Sequence, residues 1–242
     1  MRSLSIVIPA YNEEARLPAT LDRILEWSAT EPLTFREILI VDDGSRDGTA
    51  GLVDCYTERD LSVRLLRNPG NRGKGYSVRH GMLAARGDWV LFSDADLSTP
   101  IEEARKLYDT AKAKQADIAI GSRALDRSLI TVRQPVFREF SGRTFNFVMR
   151  TVTGLAFRDT QCGFKLYRRA AAQDVFSRQK LDGFSFDVED LYIAKKLGLK
   201  TVEVPVRWAN AEGTKVGAAQ GVKSFRDLFE IRRLHDGLTG ER

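Results

Sequence analysis

Residues 90–100 read VLFSDADLSTP, and the fold class depends on what this run is. Val90, Leu91 and Phe92 are apolar in succession, without polar alternation, as in a strand covered on both faces inside a parallel sheet. The run ends in two carboxylates, Asp94 and Asp96, followed by Ser98 and a break at Pro100. Ligands of open α/β sheets gather beyond the carboxyl ends of the strands, so an acidic pair there is well placed for chemistry. Spacing alone proves little. With 19 Asp in 242 residues, roughly one or two Asp-x-Asp triplets arise by chance. A turn with solvated carboxylates is the plain alternative, and the surrounding chain has to decide.

Upstream and downstream of this run, strand-like segments recur at 4–8, 37–41, 62–66, 89–93 and 117–121, with helical patterns between them. Pro18 suits a first helical turn ahead of Leu21, Ile24 and Leu25. Asp47 and Thr49 suit a helix start, and Pro100 opens a pattern carrying Ala104, Leu107 and Ala111. Such alternation predicts an α/β fold with a doubly wound, mainly parallel sheet. After residue 121 the pattern changes. Residues 122–135 read as loop, and 136–157 mix aromatics (Phe137, Phe140, Phe145, Phe147) with arginines. A short strand GFKLY follows, then a helix near 186–197, a strand at 201–206 and a basic helical tail from Gly221. We therefore expect a domain over 1–220, in two halves at 1–121 and 122–220, and a tail at 221–242.

Composition narrows the class. A chain of 242 residues can bury a full core, and no apolar run approaches the roughly 18 residues of a membrane-spanning helix. The chain opens directly into strand-like LSIVIPA rather than a signal-peptide pattern, and mean hydropathy is -0.30. Cys55 and Cys162 match no metal-ligand spacing, which favours a reducing cytoplasm. A net charge of +5 suits nucleotides, phosphates or an anionic membrane surface and is too weak to imply nucleic acid.

Four strand ends carry polar residues: IPAYNEE, VDDGSRDGT, NPGNRGKG and the acidic pair itself. Aligned on one edge of a parallel sheet, they make a site for a base, a ribose and a metal-bound phosphate. The glycine-rich stretch GNRGKG lacks the spacing of a Walker A loop and does not follow the first strand as a dinucleotide fingerprint does. Gly73 and Gly75 allow close backbone approach, and Arg72 and Lys74 add positive charge.

In order and spacing, SIVIPAYNEE, ILIVDDGSRDGT, NPGNRGKGYSVRHGM and VLFSDADLSTP resemble the motifs of the family 2 glycosyltransferases of GT-A fold. The resemblance continues through AIGSRA, FRDTQCGFKLYRR, GFSFDVEDLYIAKKLG and VPVRWANAEGTK, covering nearly the whole chain. Within the family it points to the polyprenyl-phosphate sugar synthases, with RDTQCGFK and EGTK closer to the dolichyl-phosphate glucosyltransferases than to the mannose enzymes. It implies a Rossmann-like nucleotide-binding half, with Asp94 and Asp96 holding Mg²⁺ or Mn²⁺ against the donor diphosphate. It places Pro9, Tyr11, Glu13 and Asp42 at the base and ribose, and Lys74 and Lys215 on the nucleotide side. Asp43 is as well read as a turn cap. Gln161 is expected in the sugar pocket with Asp187, while Cys162 reads as a small packed residue. His80 and His235 read as structural.

The acceptor sets the mechanism. Asp187 stands where many members of the family carry a general base, which a sugar hydroxyl needs because its proton must leave as it attacks. A lipid phosphate does not need one, since its second pKa of about 6 leaves it largely dianionic at neutral pH. It needs cations, and Arg123, Arg138 and Arg143 are the candidates. The expected activity is inverting, metal-dependent transfer of glucose from UDP-glucose to a polyprenyl phosphate, by an enzyme held peripherally on the cytoplasmic face of a membrane. The rivals are another donor such as GDP-mannose or UDP-GlcNAc, a hydroxyl acceptor with Asp187 as base, and a non-catalytic nucleotide-sugar-binding module.

Overall fold

In the computed structural model, the backbone is described for residues 1–132, 136–210 and 218–238, and side chains are described outside 136–143 and 218–222 within those spans. The first half runs β1 (Ser3–Ala10), α1 (Leu17–Thr30), β2 (Phe35–Asp42), α2 (Thr49–Arg59), β3 (Val63–Arg67), α3 (Lys74–Ala84), β4 (Trp89–Ser93), α4 (Glu103–Ala113) and β5 (Ile118–Ser122). The second half runs β6 (Ile130–Val132), α5 (Val136–Thr153), β7 (Phe164–Arg168), α6 (Arg169–Phe176), α7 (Phe186–Lys196), β8 (Thr201–Pro205), β9 (Trp208–Ala209) and α8 (Ala218–Leu234).

Seven strands form one sheet in the order β3-β2-β1-β4-β7-β5-β8. All neighbours are parallel except β7, which runs antiparallel between β4 and β5. Both halves of the chain thus share a single sheet. The sequence predicts the parallel strands to within about two residues, because each is a run of apolar residues with both faces to bury. It does not predict that β7 separates β4 from β5. It also misses α6, which starts directly after β7, and the parallel β6–β9 pair in a region read as loop.

Alternation along the strands sends residues into two cores. Ile6, Ile8, Ile38, Ile40 and Leu91 meet Leu17, Leu21 and Ile24 of α1 and Leu107 of α4 on one face. Val7, Leu39, Val41, Val90 and Phe92 meet Val78, Met82, Val175, Phe186 and Ile193 on the other. The basic tail is part of this second core: Leu228 and Ile231 of α8 are fully buried with Phe145 and Met149 of α5. Its helix begins at Ala218, three residues before the predicted start.

Candidate active site

The carboxyl ends of β1, β2, β4 and β5 and the start of antiparallel β7 lie on one edge of the sheet. Register explains why β7 contributes there: Ser93 faces Phe164, and the Asp94 amide donates to the Gly163 carbonyl at 3.0 Å. Any side chain at 163 would run into the Asp94 carboxylate, so glycine leaves that carboxylate its place. Leu97 adopts a left-handed backbone (φ 44°) just after the pair, a conformation disfavoured for a branched residue and typical of sites that need a sharp turn. Within the turn, the Ser98 amide donates to Asp96 Oδ1 at 2.9 Å.

The ends of β1 and β2 are stitched together. The Asn12 amide donates to Ser45 Oγ, the Glu13 amide to Thr49 Oγ1 and the Glu14 amide to Asp47 Oδ2, while Arg46 and Gly48 amides donate back to the Asn12 and Glu14 side chains. Pro9 pairs with Val41 in the ladder, and Tyr11 follows at the strand end, half-buried. Glu13 pairs with Arg16 at 3.1 Å, and Arg16 also stands 3.9 Å from Asp96. Asp42 is buried and accepts from the Ser45 amide. Asp43 is a loop anchor: its carboxylate accepts from Asn68 Nδ2 and from the Arg72 and Gly73 amides, all within 2.9 Å.

That anchor fixes the glycine-rich loop at the start of α3. Gly73 (φ 105°) and Gly75 sit against the backbone of residues 181–183, where a Cβ would meet carbonyl oxygens. The close approach is therefore to a loop of the same chain. Lys74 projects from it to Asp94, Nζ to Oδ1 2.6 Å, with the rings of Phe92 and Phe184 beside it. Burial alone would depress the Lys74 ammonium, but the negative charges of Asp94 and then Asp187 hold it above the ordinary lysine value.

On the other side of β4, Arg123 follows β5. The reading of Arg123 as an open fork for phosphate needs amending. Its Nε and Nη2 donate to the two oxygens of Asp159 at 2.7 and 2.8 Å, and its backbone amide donates there too. Trp208 lies against the guanidinium, 5.4 Å from the ring centre. Burial would depress the Arg123 guanidinium, but the Asp159 charge offsets this and raises it. The Asp159 backbone amide in turn donates to Glu203 Oε1 at 2.8 Å. One edge of the fork, Nε and Nη2, is occupied by Asp159.

Asp187 is buried at the start of α7 and is not a free carboxylate. It forms an ion pair with Lys165 of β7, whose side chain is wholly buried. Lys165 Nζ also donates to the Asp187 carbonyl (3.2 Å) and to Asp190 Oδ2 (3.4 Å), and Tyr167 Oη donates to the same Asp190 oxygen at 2.5 Å. This quartet is absent from the sequence reading. A lone Lys in FKLYR looks like a solvent-facing strand position, and only the antiparallel insertion of β7 buries it. The signal was on the partner side: FDVED places carboxylates on a helix whose residues 186–194 are all buried, and each needs a partner.

The remaining expected residues divide clearly. Gln161 is exposed, its amide donating to Asp159, and Cys162 is a packed thiol pushed up to about 12 by burial. His80 bonds Asn68, and buried His235 bonds Glu189, both structural contacts. Arg138 and Arg143, with Phe137 and Phe140, fall in the part of α5 whose side chains lie outside the described residues, and Lys215 lies outside them as well.

Asp94 and Asp96 fit a hard divalent cation in donor chemistry, and Gly163 leaves the first of them its room. Among the described residues no group of three acidic, His or Cys side chains converges.

The Glycosyl transferase family 2 model matches residues 5–176. The chain is 40% identical to the dolichyl-phosphate beta-glucosyltransferase of Drosophila melanogaster, over 94% of this chain and 74% of that protein. It is 37% identical to the Dictyostelium discoideum enzyme of the same description, over 95% and 73%. Among solved structures, glucosyl-3-phosphoglycerate synthase from Mycobacterium tuberculosis, in complex with Mn²⁺, UDP-glucose and phosphoglyceric acid, superposes with a TM-score of 0.68 at 19% identity, over 95% and 79% of the chains. Mannosyl-3-phosphoglycerate synthase from Rubrobacter xylanophilus gives 0.71 at 18% identity, over 98% and 75%.

Proposed function

This chain belongs to glycosyl transferase family 2 and is a glycosyltransferase of GT-A fold, and from that premise we propose that it transfers glucose from UDP-glucose to a polyprenyl phosphate of the dolichyl type. The observation that carries this reading is the sequence identity to dolichyl-phosphate beta-glucosyltransferases over nearly the whole chain. The state of Asp187 supports it. Its carboxylate is already engaged by a buried ammonium, which suits a nucleophile that arrives ionised and calls for no general base.

In the reaction, a phosphate oxygen of the lipid attacks C1 of glucose on the face opposite the UDP. The new C–O bond forms as the bond to the β-phosphate breaks, and the electron pair leaves on the diphosphate. The α-linked donor becomes a β-linked product, and no proton has to move. Asp94 and Asp96 would hold a divalent cation, which supplies Lewis-acid neutralisation of the departing diphosphate. Pro9, Tyr11, Glu13 and Asp42 frame the nucleoside end, and Lys74 brings a cation to the diphosphate. Arg123, with Arg138 and Arg143, meets the acceptor phosphate, and Gln161 borders the sugar.

A donor panel with a short polyprenyl phosphate, read by mass spectrometry, tests this. UDP-glucose should yield the polyprenyl-phosphate hexose, and calorimetry with Mn²⁺ should show UDP binding more tightly than GDP. Clearly tighter GDP, or product only from hydroxyl acceptors, rejects the assignment.

The acceptor's lipid calls for a membrane surface. No helix among the described residues is long and apolar enough to cross a bilayer. Phe147 of α5 and Phe229 of α8 are 72% and 62% exposed, on helices joined through the Phe145–Phe225 ring contact. Arg150, Lys223, Arg226, Arg232 and Arg233 on the same helices are exposed. Apolar and cationic groups together suit peripheral binding to an anionic, cytoplasmic leaflet. In flotation assays the protein should bind anionic vesicles at low salt, and Phe147→Ser with Phe229→Ser should weaken partitioning about tenfold or more, since each buried Phe contributes roughly 1.5–3 kcal/mol. No binding to either anionic or neutral vesicles at low salt counts against a membrane role.

A further inference from the structure

The Lys165 cluster asks for a role. A wholly buried ammonium in a core strand is costly unless it is paired, and here all its donors are spent on Asp187 and Asp190. Burial alone would lower Lys165, but the charges of Asp187 and then Asp190 hold it above the ordinary lysine value. Burial pushes Asp190 up to about 7, and among the described residues its Oδ1 has no hydrogen-bond partner. Asp187 takes two of the ammonium's donors, and Asp190, which also accepts from Tyr167, closes the back of the cluster. The Asp187 carboxylate so held lies next to the donor-side loop: Phe184, three residues before it, has its ring beside Lys74, and Gly73 and Gly75 pack on the backbone of residues 181–183.

We infer that Lys165 is a positioning residue, the internal counter-ion that holds the Asp187 carboxylate in place at the start of α7, beside the loop that carries Lys74. The inference rests on the glucosyl-transfer reading above for its assay. Lys165 acts only through Asp187. A strand position that carried Lys merely to fill space would have no such dependence.

A double-mutant cycle separates these roles. With UDP-glucose and a short polyprenyl phosphate, Lys165→Met should lower kcat about tenfold in the otherwise unchanged protein, and by less than about threefold in an Asp187→Asn background, because residues acting as one unit are not additive. Additive losses, or an undiminished Lys165→Met enzyme, overturn the inference. Should Lys165→Met alone fail to fold, the double variant decides. Removing one partner of a buried pair strands a charge, whereas removing both does not. Lys165→Met with Asp187→Asn should therefore recover soluble, folded protein, and a double variant as insoluble as the single one overturns the pairing. An unchanged enzyme inactive on every polyprenyl phosphate rejects the functional reading instead, and the solubility comparison still tests the pairing.

Discussion

Asp96→Asn is expected to lose roughly 10²-fold or more in turnover while remaining folded, since a bound cation contributes several kcal/mol to charge stabilisation and each 1.4 kcal/mol is tenfold in rate. The fold survives because little of it leans on the second oxygen. The Ser98 amide bonds Asp96 Oδ1, which an amide oxygen replaces, and the contact to Arg16 is long at 3.9 Å and half-exposed. An exposed pair of that kind is worth about 0–1 kcal/mol. Asp94→Asn is a harsher change, because it also leaves Lys74 without its carboxylate partner at 2.6 Å. Turnover, melting temperature and Mn²⁺ affinity in the presence of UDP should be measured on the same preparation. Full activity in Asp96→Asn, or equal activity of the unchanged enzyme with excess chelator, removes the metal from this site.

What the sequence makes legible here, and what it hides, follows from interaction range. VLFS ahead of Asp94 and EILIV ahead of Asp42 are strands in any context, because runs apolar on both faces have only one place to go. Their acidic ends therefore gather at one edge without any knowledge of side-chain geometry. Lys165 is hidden because its burial depends on β7 pairing antiparallel with both β4 and β5, a choice made by contacts far apart in the chain. Asp159 is hidden for the same reason. Nothing in the RDTQCGFK motif names Arg123 as its partner, yet Asp159 occupies one edge of Arg123, which the sequence leaves open for phosphate. Charges that act alone can be read from a sequence, while charges already matched inside the fold cannot.

The matched charges decide how the acceptor is best tested. Arg123→Ala would strand buried Asp159, so a loss of activity there would mix unfolding with chemistry. Arg123→Lys keeps a cation beside Asp159 and removes only the planar fork. If the acceptor is a phosphate, this change should raise acceptor KM by about 10- to 100-fold, since a charge-assisted contact is worth roughly 1.5–3 kcal/mol. Affinity for UDP should hardly move. Arg143→Ala is the companion variant and should act in the same direction. Asp187→Asn should cost only about tenfold in kcat on the same acceptor, because a carboxylate spent on Lys165 orients its neighbours without taking a proton. An obligate base would instead cost on the order of 10²–10⁴ and leave acceptor affinity nearly untouched. Steady-state kinetics of these variants on phosphate and hydroxyl acceptors therefore separate the mechanisms by which parameter moves. A dead Asp187→Asn enzyme that keeps the melting temperature of the unchanged protein, beside near-normal Arg123→Lys, would mean that the proton has to be removed after all, and that the nucleophile is a hydroxyl.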